Sequence, residues 1–198
     1  MKQLIAVSAA LFVAGCATTQ STSQVPYYDE GQQALIGEGY PAPRIEPPSS
    51  FSLVKKYDDA RAQPGSNTIN SREIGATWVD GDDLTAVATA LYQGLDEGFQ
   101  WGAGDNIEGV DQVGGTRFEY ATGDGFYQDV TGDIDFIPDG APKCAHSVAL
   151  ISYSDDRSKR TLLTYTEGLA YCGNRLVIND EVDDELRERA YQAFGLAR

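Results

Sequence analysis

The sequence predicts an α+β fold in which an antiparallel sheet of meanders and hairpins is packed by two amphipathic helices. Apolar residues occur at helical spacing over about 82–96 and again over about 181–194. Between these segments, short runs of β-forming residues are separated by turns rich in Gly and Asp. Two longer β-forming runs, 147–153 and 161–171, flank a polar loop. Together these patterns favour a sheet covered by helices.

The segment ahead of the predicted domain is expected to be a disordered stalk. Residues 17–24 are only Thr, Ser, Gln and Ala, and five of the eight prolines lie between Pro26 and Pro48. Such a composition buries too little apolar surface to offset the entropy lost on ordering. We therefore expect no stable element over 16–50 and one globular domain over 51–198.

A short strand and the first helix are predicted at the start of the domain. Over 74–78, apolar residues alternate with Gly and Thr, as in a half-buried strand. Asp82 and its neighbours then supply N-cap chemistry. The next apolar side chains fall on one helical face: Leu84, Val87, Ala88, Leu91 and Leu95. This spacing predicts a helix over 82–96.

A β-meander is predicted to follow. The runs 118–120 and 126–127 are aromatic and flank Thr122-Gly123-Asp124-Gly125, which has the composition of a tight turn. Two more turns rich in Gly and Asp are predicted at 131–133 and 138–140.

The best strand pair lies around the polar loop 155–160, and it predicts a disulfide. Cys144 and Cys172 are equidistant from position 158, so a hairpin folded there brings them opposite each other. An even pair of cysteines in an exported domain favours a disulfide, worth about 2 to 4 kcal/mol. A redox-active or ligand thiol pair is the alternative, although no Cys-x-x-Cys motif supports it.

The second helix is predicted over 181–194, capped by Asn179 or Asp180. Its first turn is acidic and its arginines come later, the order that the helix dipole favours. Four apolar residues predict its buried stripe: Val182, Leu186, Ala190 and Phe194.

The N-terminus has the order of a secretory signal peptide. Lys2 precedes the apolar run 4–13, which ends in small residues. The run is shorter than the about 20 apolar residues that a membrane-spanning helix needs. We therefore expect residues 1–15 to be removed.

The last residues of this signal, Val13-Ala14-Gly15-Cys16, resemble the lipobox of bacterial lipoproteins. The resemblance implies lipidation of Cys16, with palmitate among the acyl chains, and anchoring to a bacterial membrane. In that family an Asp after the cysteine commonly retains the protein at the inner membrane. Ala17 stands there instead, which implies an outer-membrane protein facing the periplasm.

The charge of the chain excludes one class of partner. The formal net charge is −15, and residues 80–139 hold fourteen acidic side chains and one basic one, Arg117. Such a balance argues against binding nucleic acid. The acidic stretch fits a solvated surface, or else a site for cations or a basic partner.

Catalytic motifs are absent from the sequence. His146 is the only histidine, so two-histidine zinc motifs are excluded. It could pair with Cys144 only if that thiol is not in a disulfide. No Gly-x-Ser-x-Gly elbow is present, and Gly102-Ala103-Gly104 lacks the context of a nucleotide-binding loop. We expect a structural histidine and no catalytic residues.

Calcium is the one cofactor that the sequence suggests. Asp129, Asp133 and Asp135 place three carboxylates around a glycine turn, and oxygen-rich loops suit a hard cation. The spacing does not match an EF-hand, and Asp and Gly are also the usual residues of β-turns. The expectation is therefore no cofactor, with these three residues as the calcium candidates.

These observations favour a non-enzymatic, lipid-anchored module that binds an envelope protein or a wall polymer. The alternative is a calcium-dependent or carboxylate-based envelope hydrolase, which requires two facing carboxylates in a cleft. An exposed, contiguous aromatic patch would support the binding module. Five residues are candidates for it: Trp78, Trp101, Tyr120, Phe126 and Tyr127.

Overall fold

The fold was analysed in a computed structural model of the chain. The structure describes six stretches, namely residues 25–62, 70–80, 86–104, 106–126, 144–169 and 180–196.

Most of the described chain forms one seven-stranded antiparallel sheet. Its strands are β4 (Phe51–Ala62), β5 (Asn70–Asp80), β6 (Ala86–Leu95), β7 (Gly109–Val113), β8 (Thr116–Phe126), β9 (Cys144–Tyr153) and β10 (Lys159–Leu169). Their order is β4-β5-β6-β10-β9-β8-β7. Two meanders, β4 to β6 and β7 to β10, are thus joined through the β6–β10 pair.

A small second sheet lies where the stalk was predicted, and that prediction is wrong for residues 25–50. Strands β1 (Tyr27–Asp29), β2 (Ala34–Ile36) and β3 (Arg44–Ile45) form a three-stranded antiparallel sheet. Leu35 and Ile45 are completely buried in the common core. The segment is ordered by contacts with residues distant in sequence, which its own composition does not reveal.

The predicted α+β class with two helices is also wrong, because residues 86–95 form a central strand instead of a helix. Ala88, Ala90 and Tyr92 are buried on one face of β6, and Val87 is buried on the other. The second face also carries Leu91, which is partly buried. Because apolar residues occur on both faces of the strand, they also satisfied the helical spacing of three and four. The protein is mostly β.

The turn predicted at 122–125 is not formed either. Strand β8 runs through these residues, with Gly123 opposite Ser147 and Gly125 opposite Ala145 of β9. The turn lies earlier, at Gly114 and Gly115, whose φ angles are 56° and 81°. The turns predicted at 131–133 and 138–140 lie outside the described residues.

The predicted hairpin around 155–160 is confirmed, with a shifted register. Arg160 pairs with Tyr153, and Cys144 pairs with Leu169. Cys144 is therefore not directly opposite position 172, because the hairpin turns nearer to residues 156 and 157. Cys172 lies outside the described residues, so the disulfide stays a prediction.

The C-terminal helix is confirmed as α1 (Asp180–Ala193). Leu186, Ala190 and Phe194 are completely buried, whereas Val182 is exposed, contrary to its predicted place in the stripe. The helix ends in a Schellman motif, in which the amide of Leu196 donates to Tyr191 O and Gly195 has a φ of 66°.

Helix α1 and the small sheet cover the same face of the large sheet. The core between them contains large side chains from several strands, namely Trp78, Tyr92, Phe118, Leu150 and Leu163. Tyr92 donates a hydrogen bond of 2.7 Å to Ala42 O, which ties the β2–β3 loop to β6. Burial raises the pKa of the Tyr92 phenol, so the hydroxyl stays a donor.

Candidate binding cleft

Most of the site residues predicted from sequence lie outside the described residues. This holds for Cys16, Cys172 and the three calcium candidates Asp129, Asp133 and Asp135. In the part of the chain that the structure describes, no three His, Cys, Asp or Glu side chains are grouped so that they could hold a metal ion.

His146 is held between two carboxylates. It lies on β9 and is buried. Its Nδ1 is 2.5 Å from Asp124 Oδ1 on β8, and its Nε2 is 3.0 Å from Asp183 Oδ1 on α1. With both nitrogens engaged, the ring links the sheet to the helix and presents no free nitrogen to a substrate. The geometry agrees with a structural histidine.

The three described members of the predicted aromatic patch do not form one exposed surface. Trp78 is buried in the core. Tyr120 lies beneath the Arg187 guanidinium, 4.0 Å from its ring centroid, and Trp101 lies beneath that of Arg160 at 3.6 Å. The Phe126 side chain and Tyr127 are outside the described part of the chain. These described aromatic rings serve packing and cation–π contacts.

A cleft of about 710 Å³ opens instead at one end of the sheet. Three connections form it: the β2–β3 loop, the β7–β8 turn and the β9–β10 loop. Its chemistry comes mainly from Tyr40, Arg117, Tyr153 and Arg157. The cleft combines aromatic rings with guanidinium groups, and both kinds of group suit polar or anionic ligands.

Arg157 is the most firmly positioned group in this cleft. Its guanidinium carbon lies 3.9 Å from the centroid of the Tyr153 ring. Its Nε donates to Trp101 O at 2.9 Å, and its Nη2 donates to Gly102 O at 2.5 Å. The residue has a φ of 54°, in the left-handed region that few non-glycine residues adopt. The loop therefore holds one cation in a fixed place.

Asp156 fixes the loop that carries Arg157. Its carboxylate accepts hydrogen bonds from Ser154 Oγ, from the Ser158 amide and from Ser158 Oγ. These donors lower the pKa of Asp156 to about 2. The carboxylate is thus ionised at neutral pH, and its hydrogen bonds close the turn between β9 and β10.

Arg117 also lines the cleft, and two more basic residues, Lys159 and Arg160, follow the loop that carries Arg157. Lys159 Nζ lies 5.1 Å from the Tyr40 ring centroid, and Arg117 forms an ion pair of 2.8 Å with Glu119. Arg160 donates to Gln93 Oε1 at 2.6 Å. These cations, together with Arg157, stand out in a chain whose net charge is −15. The cleft therefore offers an anion a local site that the overall charge does not suggest.

Sequence reasoning treated residues 155–160 only as a polar loop and missed this cleft. The signal present was three basic residues, Arg157, Lys159 and Arg160, close together in an acidic chain. Their partners Trp101 and Tyr40, and Arg117 across the cleft, come from distant segments, so their approach depends on the fold. Among the residues lining the cleft in the described chain, Asp155 supplies the one carboxylate. The facing carboxylate pair that the hydrolase alternative requires is not found there.

Comparison of the chain with protein-family models, with curated proteins and with solved structures gives no match.

Proposed function

We propose that the chain is a lipid-anchored protein of the bacterial envelope, whose domain binds an anionic wall polymer in the cleft beside Arg157. The observation that carries the binding function is the guanidinium of Arg157, stacked on Tyr153 and held by two carbonyl groups. Because that side chain is already ordered, binding an anion would cost little conformational entropy. Charge-assisted hydrogen bonds to carboxylate or phosphate would supply the attraction.

The proposed anchor depends on the motif ending at Cys16. Lipid chains on one cysteine hold a protein at a membrane because each buried methylene contributes about 0.8 kcal/mol. In the described residues, no helix is both long and apolar enough to cross a bilayer. We propose the outer membrane as the site of anchoring, with the domain in the periplasm, because Ala17 follows the cysteine.

The anchor is tested by labelling growing cells with palmitate. We expect the label on the chain and its loss in Cys16→Ser. The matched control is the double variant C144S/C172S, which loses two cysteines but keeps Cys16 and should keep the label. Mass spectrometry of the mature N-terminus should find a lipidated Cys16. An unmodified N-terminus, or label retained by C16S, would refute the anchor.

The cleft is tested by sedimentation of the chain from Ala17 with purified peptidoglycan sacculi. We expect Arg157→Ala to weaken binding by about tenfold, equivalent to about 1.4 kcal/mol. Arg44→Ala is the control, because Arg44 on β3 is an exposed cation that forms an ion pair with Glu46 and does not line the cleft. Raising the salt from about 50 to about 300 mM should weaken binding by the wild type. Equal binding by R157A and R44A, or none by the wild type, would exclude the cleft as a wall-polymer site.

A further inference from the structure

A second surface feature lies where the described chain begins. A groove of about 470 Å³ runs between β1 and the β4–β5 edge of the large sheet. Its walls include Val25, Tyr27, Tyr28, Lys56, Tyr57 and Ile74. We call this feature the N-terminal groove.

The groove holds two of the five large apolar side chains that the described residues expose. Val25 is 50% exposed and Tyr27 is 46% exposed. Val54, on strand β4, is also exposed but does not line the groove, and Val110 and Val182 lie on β7 and α1. Tyrosine is a residue that favours the boundary between water and lipid. The composition therefore suits contact with a membrane interface.

The charge of the groove is balanced, unlike that of the whole chain. Lys56 forms an ion pair with Glu30, and Arg72 forms one of 3.4 Å with Asp58. These four side chains are largely exposed, so the pairs are weak and the cations could exchange their partners for lipid phosphates. An acidic protein would approach an anionic bilayer most easily through such a neutral region.

The length of the tether places this groove next to the bilayer. Val25 follows Cys16 by nine residues, which span at most about 32 Å when fully extended. If Cys16 is anchored, the end of the domain that contains Val25 must stay within this distance of the lipid.

We propose that the N-terminal groove, with Val25 and Tyr27 on its wall, docks on the phospholipid surface into which Cys16 is anchored. This inference rests on the proposed lipidation of Cys16, and it adds which side of the domain faces the membrane. The groove lies on β4 and β5, and the binding cleft lies on β8 and β9. In the strand order, β5 and β9 are three positions apart, or about 14 Å along the sheet.

The test uses a tether that does not depend on natural lipidation. A hexahistidine tag replaces residues 1–16 and attaches the chain to vesicles of phosphatidylethanolamine and phosphatidylglycerol that contain a nickel-chelating lipid. Hydrogen exchange is compared between the tethered and the free protein. We expect exchange to slow by about threefold or more over 25–30 and 52–58. Exchange over 108–116, on the opposite edge, should not change.

Two variants separate docking from general crowding at the vesicle surface. The double variant V25S/Y27S should lose the protection, whereas Val182→Ser, which removes an exposed apolar residue from α1, should retain it. Equal exchange in tethered and free protein would overturn the docking proposal even if Cys16 proves to be lipidated. If protection increases with protein concentration in the absence of vesicles, self-association explains it and the docking proposal is overturned. If Cys16 proves not to be lipidated in cells, the proposed anchor is refuted. The hydrogen-exchange measurement still shows whether the N-terminal groove contacts lipid, because its tether does not use Cys16.

Discussion

At the residue scale, His146 links the large sheet to the helix. Its two ring nitrogens face the carboxylates of Asp124 on β8 and Asp183 on α1. One buried side chain therefore joins three elements, β8, β9 and α1.

We expect His146→Leu to lower the free energy of unfolding by about 1 to 3 kcal/mol, because it leaves two carboxylates without their shared partner. The expected loss in the free energy of unfolding is smaller than for a fully buried pair, because the Asp124 side chain is 48% exposed. Urea denaturation measures the change. The triple variant D124N/H146L/D183N should recover part of the loss. An unchanged midpoint in H146L would show that the ion pairs contribute nothing to stability.

Asp156 gives a prediction about acid pH. Its pKa in the folded protein is about 2, below the ordinary value of 3.8. Because the folded value is the lower one, the stabilisation from the ionised carboxylate is complete above pH 3.8 and is lost as the pH falls through about 2. A carbon-detected NMR titration should find the Asp156 midpoint near 2. In Asp156→Asn, the Ser158 amide should exchange faster at neutral pH. A midpoint at 3.8 would contradict the hydrogen-bonded turn.

At the scale of elements, two strand glycines provide a matched test of how closely β5 and β6 pack. A Cβ added to Gly75 would overlap the backbone oxygen of Ala90 and the Leu91 side chain, whereas one added to Gly123 on β8 would meet no atom within 4 Å. We expect Gly75→Ala to destabilise the protein by about 1 to 3 kcal/mol, and Gly123→Ala to be neutral or slightly stabilising. Thermal unfolding of the two variants measures this difference in stability. Similar melting temperatures would mean that β6 has room to move.

Elements could be predicted from sequence where the signal was local. Helix α1 has an acidic outer face and a buried stripe, and the β9–β10 hairpin has two β-forming runs around a polar loop. Strand β6 has a buried face and a partly buried face that carries Val87 and Leu91, so its apolar spacing fitted a helix as well. The small sheet depends on Leu35, in the short apolar run 34–36, and on Ile45, between Arg44 and Glu46, and only contacts across the fold explain their burial.

The cleft could not be predicted from sequence for the same reason, because the fold brings its residues together. The resemblance to a lipobox rests on the contiguous motif Val13-Ala14-Gly15-Cys16 and needs no knowledge of the fold, and these residues lie outside the described part of the chain. The cleft depends on Tyr40, Arg117 and Arg157, which come from three separate connections. No local periodicity links residues so far apart. Their proximity follows from the strand order, which the sequence patterns did not determine.

At the scale of the whole molecule, the strand order separates two surfaces that we assign to different partners. The N-terminal groove belongs to the β4–β5 edge, and the cleft belongs to the β7–β9 side of the sheet. The β6–β10 pair joins the two meanders, so the surfaces belong to one continuous sheet. A load on the cleft would therefore reach the β4–β5 edge through backbone hydrogen bonds.

The predicted disulfide would strengthen this sheet, and the observed register makes its formation feasible. Leu169 lies opposite Cys144, and three further residues reach at most about 11 Å, so Cys172 could return to the 4.4 to 6.8 Å Cα separation that a disulfide needs. We expect peptide mapping without reductant to find Cys144 linked to Cys172. The double variant C144A/C172A should lose about 2 to 4 kcal/mol of stability, since a closed loop no longer restricts the unfolded chain. Reductant should lower the stability of the wild type and leave that of the double variant unchanged. Free thiols at both positions in protein isolated from the envelope would refute the pairing.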